Sequence, residues 1–297
     1  MYKKSTSVVS IVTKSLGIFF EKFPSFLKYI AYPLFGQLAG VIICFLPFLT
    51  AKDPKAVSIS LVFLCMIAGL IVFCHAFWRY LLVSGGLVLI SKQIVENEPL
   101  QEFGFYTKAF QKRSKEYVSY LLIMILISLL FVVAAVIWIF AMIGGYYNVA
   151  SIDMTALAGQ LAFQGLIFGA VMFLVASILS VTLETFVLNP NLTPFKSILK
   201  AAKLALKNYF PNLGLIILLM LISVIWSEVF GLILGNAVFN EAFYAEHPRE
   251  YADMLSFIQG VTQGCIVNLL LPLMTLCRTW WYLRMEKEYM LKVAKKD

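Results

Sequence analysis

The chain has 297 residues, of which 61% are hydrophobic and only 13% are charged. A soluble domain is about 45–50% apolar and about 25% charged, so the composition excludes an ordinary soluble protein. The net charge of +8 does not indicate nucleic-acid binding, because the lysines and arginines lie between the apolar segments, on alternate sides, where they orient a membrane protein and attract anionic headgroups.

Six apolar segments follow one another along the chain. Each is long enough to cross a hydrocarbon core of about 30 Å, which takes about 20 helical residues. The segments form three pairs, each preceded by a basic amphipathic stretch. We therefore predict an all-α polytopic protein, one integral membrane domain over residues 1–297, whose six transmembrane helices form three hairpins. The predicted spans are residues 30–50, 58–83, 118–143, 159–188, 212–235 and 257–282.

The distribution of basic residues predicts the orientation. They concentrate before span 1, after spans 2 and 4, and in the C-terminal tail, whereas the opposite loops hold only Lys52, Lys55 and Arg249. The positive-inside rule then places both termini in the cytoplasm of a bacterial-type inner (plasma) membrane. Charged residues between positions 14 and 22 interrupt the apolar region that a cleavable signal peptide needs, so we expect span 1 to insert as an uncleaved anchor.

Three amphipathic helices are predicted at residues 5–28, 99–117 and 193–210, each leading into a pair of spans. In the third, Thr193 supplies an N-cap and Pro194 a first-turn proline. A helix with one apolar face and one basic face suits the headgroup plane of a bilayer. The alternative is a cytoplasmic cap that packs on the helix bundle, and the pattern fits both arrangements.

The third of these helices has the most regular charge pattern. Its four lysines recur at helical spacing, with Ile198, Ala202, Ala205 and Tyr209 on the face behind them. We predict that this line forms a membrane-surface basic face that binds anionic lipid headgroups. The four lysines are Lys196, Lys200, Lys203 and Lys207.

The exit of span 2 has a distinctive order of residues. Gly85 and Gly86 indicate a bend or a close backbone approach, and Asn97 and Pro99 end the helix before the second amphipathic stretch. This layout resembles a group of bacterial six-span membrane families of unknown function, one of which is the membrane domain attached to some glycerophosphodiester phosphodiesterases. The resemblance implies the architecture alone, because no soluble phosphodiesterase domain is visible and that activity is not expected.

Glycine pairs at a spacing of four mark candidate helix-packing sites, because small residues let helix backbones approach closely in a bilayer. The pairs begin at Gly36, Gly165, Gly231 and Gly260. They are compatible with a compact monomeric bundle or with a homo-oligomer. In span 6, Pro272 predicts a kink.

Ionisable residues inside the spans are the best site candidates, because burying a charge in a membrane is costly. His75, Arg79, Glu184 and Arg278 all fall near the predicted cytoplasmic ends of their spans. They form a candidate polar layer in which Glu184 pairs with Arg79 or Arg278, and which holds a substrate or a lipid headgroup. The alternative is that each side chain reaches the interface independently.

Catalytic motifs are missing from the sequence. The five cysteines lie within spans at spacings that fit neither a metal site nor a disulfide framework, and no nucleotide-binding glycine motif occurs. We therefore predict no enzyme activity, no catalytic residues, no metal and no cofactor. The predicted function is a lipid-interacting or partner-binding envelope component, with a small-solute or lipid transporter as the alternative.

Overall fold

A computed structural model describes residues 7–50, 57–144, 154–237 and 252–293, and within these ranges the chain is helical and has no strand. The helices are Val8–Glu21 (α1), Phe23–Thr50 (α2), Ile59–Glu96 (α3), Phe103–Gln111 (α4), Ser114–Gly144 (α5), Met154–Ile178 (α6), Thr182–Leu188 (α7), Pro194–Lys207 (α8), Tyr209–Ala237 (α9), Ala252–Asn268 (α10) and Leu271–Val293 (α11).

Helices long and apolar enough to cross a membrane account for most of the described chain. Five such segments are present, and the bent pair Met254–Asn268 and Leu271–Leu291 makes a sixth when it is counted as one span. The pair bends by 44° beside Pro272, as the sequence predicts. The indole Nε1 of Trp226 donates to the Ile266 carbonyl at 2.9 Å, next to this break. The chain is therefore a multi-span membrane protein.

The described structure divides into two compact units. One unit takes Met1–Lys112 with Gly214–Leu283, and the other takes Arg113–Leu213 with Arg284–Asp297. In the first, α2 packs along α3, while α4 packs on α3 and α10 on α2. In the second, α8 packs on α5, α6 and α7.

The first glycine pair lies at the crossing of α2 and α3. A Cβ atom added to Gly40 would lie 2.7 Å from the backbone nitrogen of Phe73 and 2.8 Å from the carbonyl oxygen of Gly69. The two backbones therefore touch where the sequence predicts a packing site. By contrast, a Cβ atom on Gly165 or Gly260 would meet nothing within 4 Å.

Helix α3 continues through Gly85 and Gly86 to Glu96, and both glycines permit a close approach of α4. A Cβ atom on Gly85 would overlap the Phe110 ring, and one on Gly86 would lie 3.3 Å from the backbone nitrogen of Thr107. The helix ends where Asn97 takes the left-handed conformation with φ 55°, as the sequence predicts. The amides of residues 97 and 98 then donate to the carbonyls of residues 94 and 93, which is a Schellman motif.

Span 4 differs from its predicted form, because a turn at residues 179–181 separates α6 from α7. Asn212 is fully buried there, and its Nδ2 donates to the Ser177 carbonyl at 2.8 Å and to the Ser180 hydroxyl at 3.2 Å. A side chain from α9 thus replaces a bond that a continuous helix would make. Hydropathy patterns do not predict a contact between residues this far apart in the sequence.

Helices are present in all three stretches predicted as amphipathic, but they are shorter than predicted. α1 ends at Glu21, α4 covers Phe103–Gln111 and α8 covers Pro194–Lys207. Each stops at a turn before the next helix begins, so hydrophobic periodicity that carries across the turn made the predicted segments too long. Residues 5 and 6 lie outside the described part of the chain.

Candidate functional site

The four residues of the predicted polar layer fall in different units. His75 and Arg79 lie on α3 and Arg278 on α11, all in the first unit, whereas Glu184 lies on α7 in the second. Glu184 is fully buried, while the side chains of His75 and Arg79 are exposed. The structure brings His75 and Arg79 together at one cavity. The pairing of Glu184 with either arginine stays a prediction.

That cavity has a volume of about 400 Å³ and is walled by three helices of the first unit. Each helix presents one stripe at helical spacing, because residues three, four or seven apart share a helix face. The stripes are Tyr29, Tyr32 and Pro33 on α2, His75, Arg79 and Val83 on α3, and Gly104, Thr107, Lys108 and Gln111 on α4.

Two side-chain hydrogen bonds tie the walls of the cavity together. The Tyr32 hydroxyl lies 2.5 Å from Nδ1 of His75, with the two ring centroids 5.8 Å apart. The Tyr29 hydroxyl bonds to that of Thr107. If Tyr32 donates to Nδ1, the neutral imidazole carries its proton on Nε2, which then becomes a donor. α2 is thereby fixed to both α3 and α4.

The cavity carries positive charge that no described lining residue balances with a carboxylate. Arg79 and Lys108 both line it, and no carboxylate is among the lining residues. Among the salt bridges of the described residues, none includes Arg79 or Lys108. Together with Gln111, these side chains offer several hydrogen-bond donors to an anion.

The lysine line of α8 does not form one uniform free surface. Lys196, Lys203 and Lys207 are exposed, but Lys200 donates to Oδ1 of Asn189 at 2.6 Å and forms an ion pair with Glu286. Nζ of Lys207 also lies 4.2 Å from the Tyr289 ring centroid. Part of the predicted basic face therefore contacts the end of α11.

A second exposed stripe of α8 is apolar, and the sequence pattern does not predict that it is exposed. Phe195, Leu199 and Leu206 are 58%, 54% and 56% exposed. Ile198 and Ala205, predicted to lie behind the lysines, are buried in the second unit. Both stripes have helical spacing in the sequence, so periodicity alone does not distinguish the protein-facing stripe from the outward one.

Lys108, Gln111 and Thr107 were also missing from the predicted site. The sequence does place Lys108 and Gln111 on the polar face of the second amphipathic stretch, opposite Phe103 and Phe110. What it does not reveal is that this face is turned towards His75 and Arg79 on α3.

No protein-family model, curated protein or solved structure matches the chain.

Proposed function

We propose that the protein is a non-enzymatic, lipid-interacting component of a bacterial-type inner membrane. It crosses the bilayer six times as three hairpins, with both termini in the cytoplasm, and α1, α4 and α8 lie in the cytoplasmic headgroup layer. The observation that supports this most strongly is the arrangement of faces on α8.

Three faces divide the surface of α8. One face, which includes Ala201 and Leu204, is buried against its own unit. The stripe that begins with Phe195 and Leu199 is apolar yet exposed. The lysine line lies beside that stripe. An exposed apolar stripe next to lysines suits a helix in the membrane plane, because the apolar side chains enter the acyl region while the lysine stems carry their charges to the phosphates.

The other two short helices have the same division. α1 buries Ile11 and Phe19 while Val9 and Phe20 stay exposed, and α4 buries Tyr106 and Phe110 while Phe105 stays exposed. Exposed aromatic and aliphatic side chains next to lysines are favoured at the interface between water and lipid. Three such helices would give the protein a broad contact with one leaflet.

A nitroxide scan along α8 tests the proposal. The full-length protein is labelled at single introduced cysteines, after its five native cysteines are replaced, and reconstituted in nanodiscs that contain phosphatidylglycerol. Labels at Phe195, Leu199 and Leu206 should collide with dissolved oxygen, which partitions into the acyl region. Labels at Lys196 and Lys203 should collide with a water-soluble nickel chelate.

A label at the buried Ala201 is the internal control, and it should be immobile and reached poorly by both reagents. The proposal predicts an accessibility that alternates with the period of the helix. It is wrong if the nickel chelate reaches positions 195, 199 and 206 as readily as positions 196 and 203, because α8 would then lie in water.

A further inference from the structure

We propose that the cavity between α2, α3 and α4 binds the phosphate of an anionic phospholipid. This inference rests on the proposed function, since it assumes that the cavity opens at the headgroup level of a bilayer. It adds a defined site in the first unit, which is distinct from the surface of α8. The shared ligand chemistry is a phosphate, and the structure favours its lipid form.

The donors that line the cavity match a phosphate in charge and in hydrogen bonding. The guanidinium of Arg79 presents a planar fork that binds two phosphate oxygens at once, whereas Lys108 acts as a compact point charge. Gln111 adds an amide donor, and His75 adds Nε2 when Tyr32 donates to Nδ1. Within the described part of the chain, no acidic side chain lines the cavity to compete for these groups.

The volume fits a headgroup and not a whole lipid. A cavity of about 400 Å³ lies at the lower end of the usual range for ligand pockets, about 300–1,000 Å³. A phosphate with its glycerol and a small polar substituent fits in such a space. The acyl chains must therefore run along the outside of the protein.

The surface of α3 next to the cavity offers such a path. Moving from Arg79 and His75 towards the start of the helix, the same face continues with Ile71 and Leu64, both of them exposed. Arg79 and Leu64 are about 22 Å apart along the helix at 1.5 Å per residue. A polar cavity that continues into an exposed apolar stripe matches a phospholipid, whose headgroup is polar and whose acyl chains are apolar. Inorganic phosphate has no apolar part that could contact the stripe.

Native mass spectrometry of the delipidated full-length protein tests the site, with dioleoyl phosphatidylglycerol as the probe. The double variant Arg79→Gln with Lys108→Gln should bind the first lipid at least tenfold more weakly than the wild type. The matched control is Lys28→Gln with Lys112→Gln, which removes two exposed positive charges from the same unit outside the cavity lining. Its affinity should stay within twofold of the wild type.

A second variant keeps every charge. Gly104 lines the cavity, and a Cβ atom there would meet nothing within 4 Å, so Gly104→Leu should occupy ligand space without disturbing the helices. This variant should also bind phosphatidylglycerol more weakly than the wild type. It tests the site even if the double variant fails to fold.

Two results would overturn the inference. One is equal binding of phosphatidylglycerol by the wild type and both cavity variants. The other is complete competition by inorganic phosphate at the concentration at which phosphatidylglycerol binds, which would identify free phosphate as the ligand. If the nitroxide scan of α8 gives its expected pattern while either result is obtained, only the cavity site fails and the proposed function stands.

Discussion

Asn212 completes the backbone hydrogen bonding at the turn between α6 and α7. The side chain is fully buried and donates to the Ser177 carbonyl at 2.8 Å. Asn212→Leu preserves approximate volume but removes both side-chain bonds, which leaves the Ser177 carbonyl only the longer bond from the Ser180 amide at 3.4 Å. We expect the variant to lose about 1–3 kcal/mol of unfolding free energy, because each of the two lost hydrogen bonds contributes about 0.5–1.5 kcal/mol. Denaturation in mixed micelles measures the loss.

Ser223→Ala is the control for this substitution. The Ser223 hydroxyl donates to the Leu219 carbonyl four residues earlier on the same helix, so its removal leaves the backbone ladder intact. The change in unfolding free energy should be small. Equal stability of both variants would show that the turn does not depend on Asn212.

Single residues also show where sequence reasoning succeeds. The pattern identifies His75 and Arg79 because an ionisable residue in an apolar segment is conspicuous. It does not identify Tyr32 or Thr107, whose hydroxyl groups are ordinary features of a helix until folding places them beside His75 and Tyr29. Of the ten described residues that line the cavity, the sequence therefore identifies two by residue type and depth, and the others are identified only by tertiary contact.

At the scale of helices, the crossing of α2 and α3 depends on the absence of side chains at Gly40 and Gly69. A Cβ atom on Gly40 would contact backbone atoms of α3, which cannot move aside as a side-chain end can. Gly40→Ala should therefore destabilise the protein by about 1–3 kcal/mol, the usual cost of overpacking. The same unfolding assay in micelles reports this change.

Gly165→Ala is the same chemical change at a glycine with open space around it. This variant should be neutral or gain up to about 1 kcal/mol, because alanine is the better helix former. Comparable losses in the two variants would contradict the close crossing of α2 and α3.

The long helices were largely predictable, because a run of about 20 apolar residues rarely forms anything other than a membrane-spanning helix. Their interruptions were predicted only where a local signal exists. Pro272 marks the bend before α11 and Asn97 the end of α3, whereas the turn after Ile178 has no such residue of its own. The outward face of α8 was not predictable, because its two apolar stripes differ only in what packs against them.

For the whole molecule, the distribution of basic residues predicts one orientation. Reporter fusions after Lys112, Lys203 and Lys296 should be cytoplasmic, and fusions near Lys55, Asn148 and Glu246 should be external. A paired phosphatase and fluorescent-protein reporter series in cells measures both sides. Lys55, Asn148, Glu246 and Lys296 lie outside the described residues, so the test relies on the charge pattern alone.

A single reversed loop in this series would contradict the six-span count, because each later span would change direction with it. Fusions at Lys52 and Lys92, on the two sides of span 2, are the internal control, and the first should be external and the second cytoplasmic. If both reporters are found on the same side, α3 does not cross the membrane.

The shortness of α4 has a consequence for the order in which the protein assembles. Nine residues are fewer than the about 12–15 that an isolated helix needs to be even marginally stable in water. α4 therefore forms together with its docking on α3, where the Phe110 ring occupies the space left by Gly85. Since Thr107, Lys108 and Gln111 all belong to α4, we expect the cavity to be incomplete until α4 has folded back onto α2 and α3.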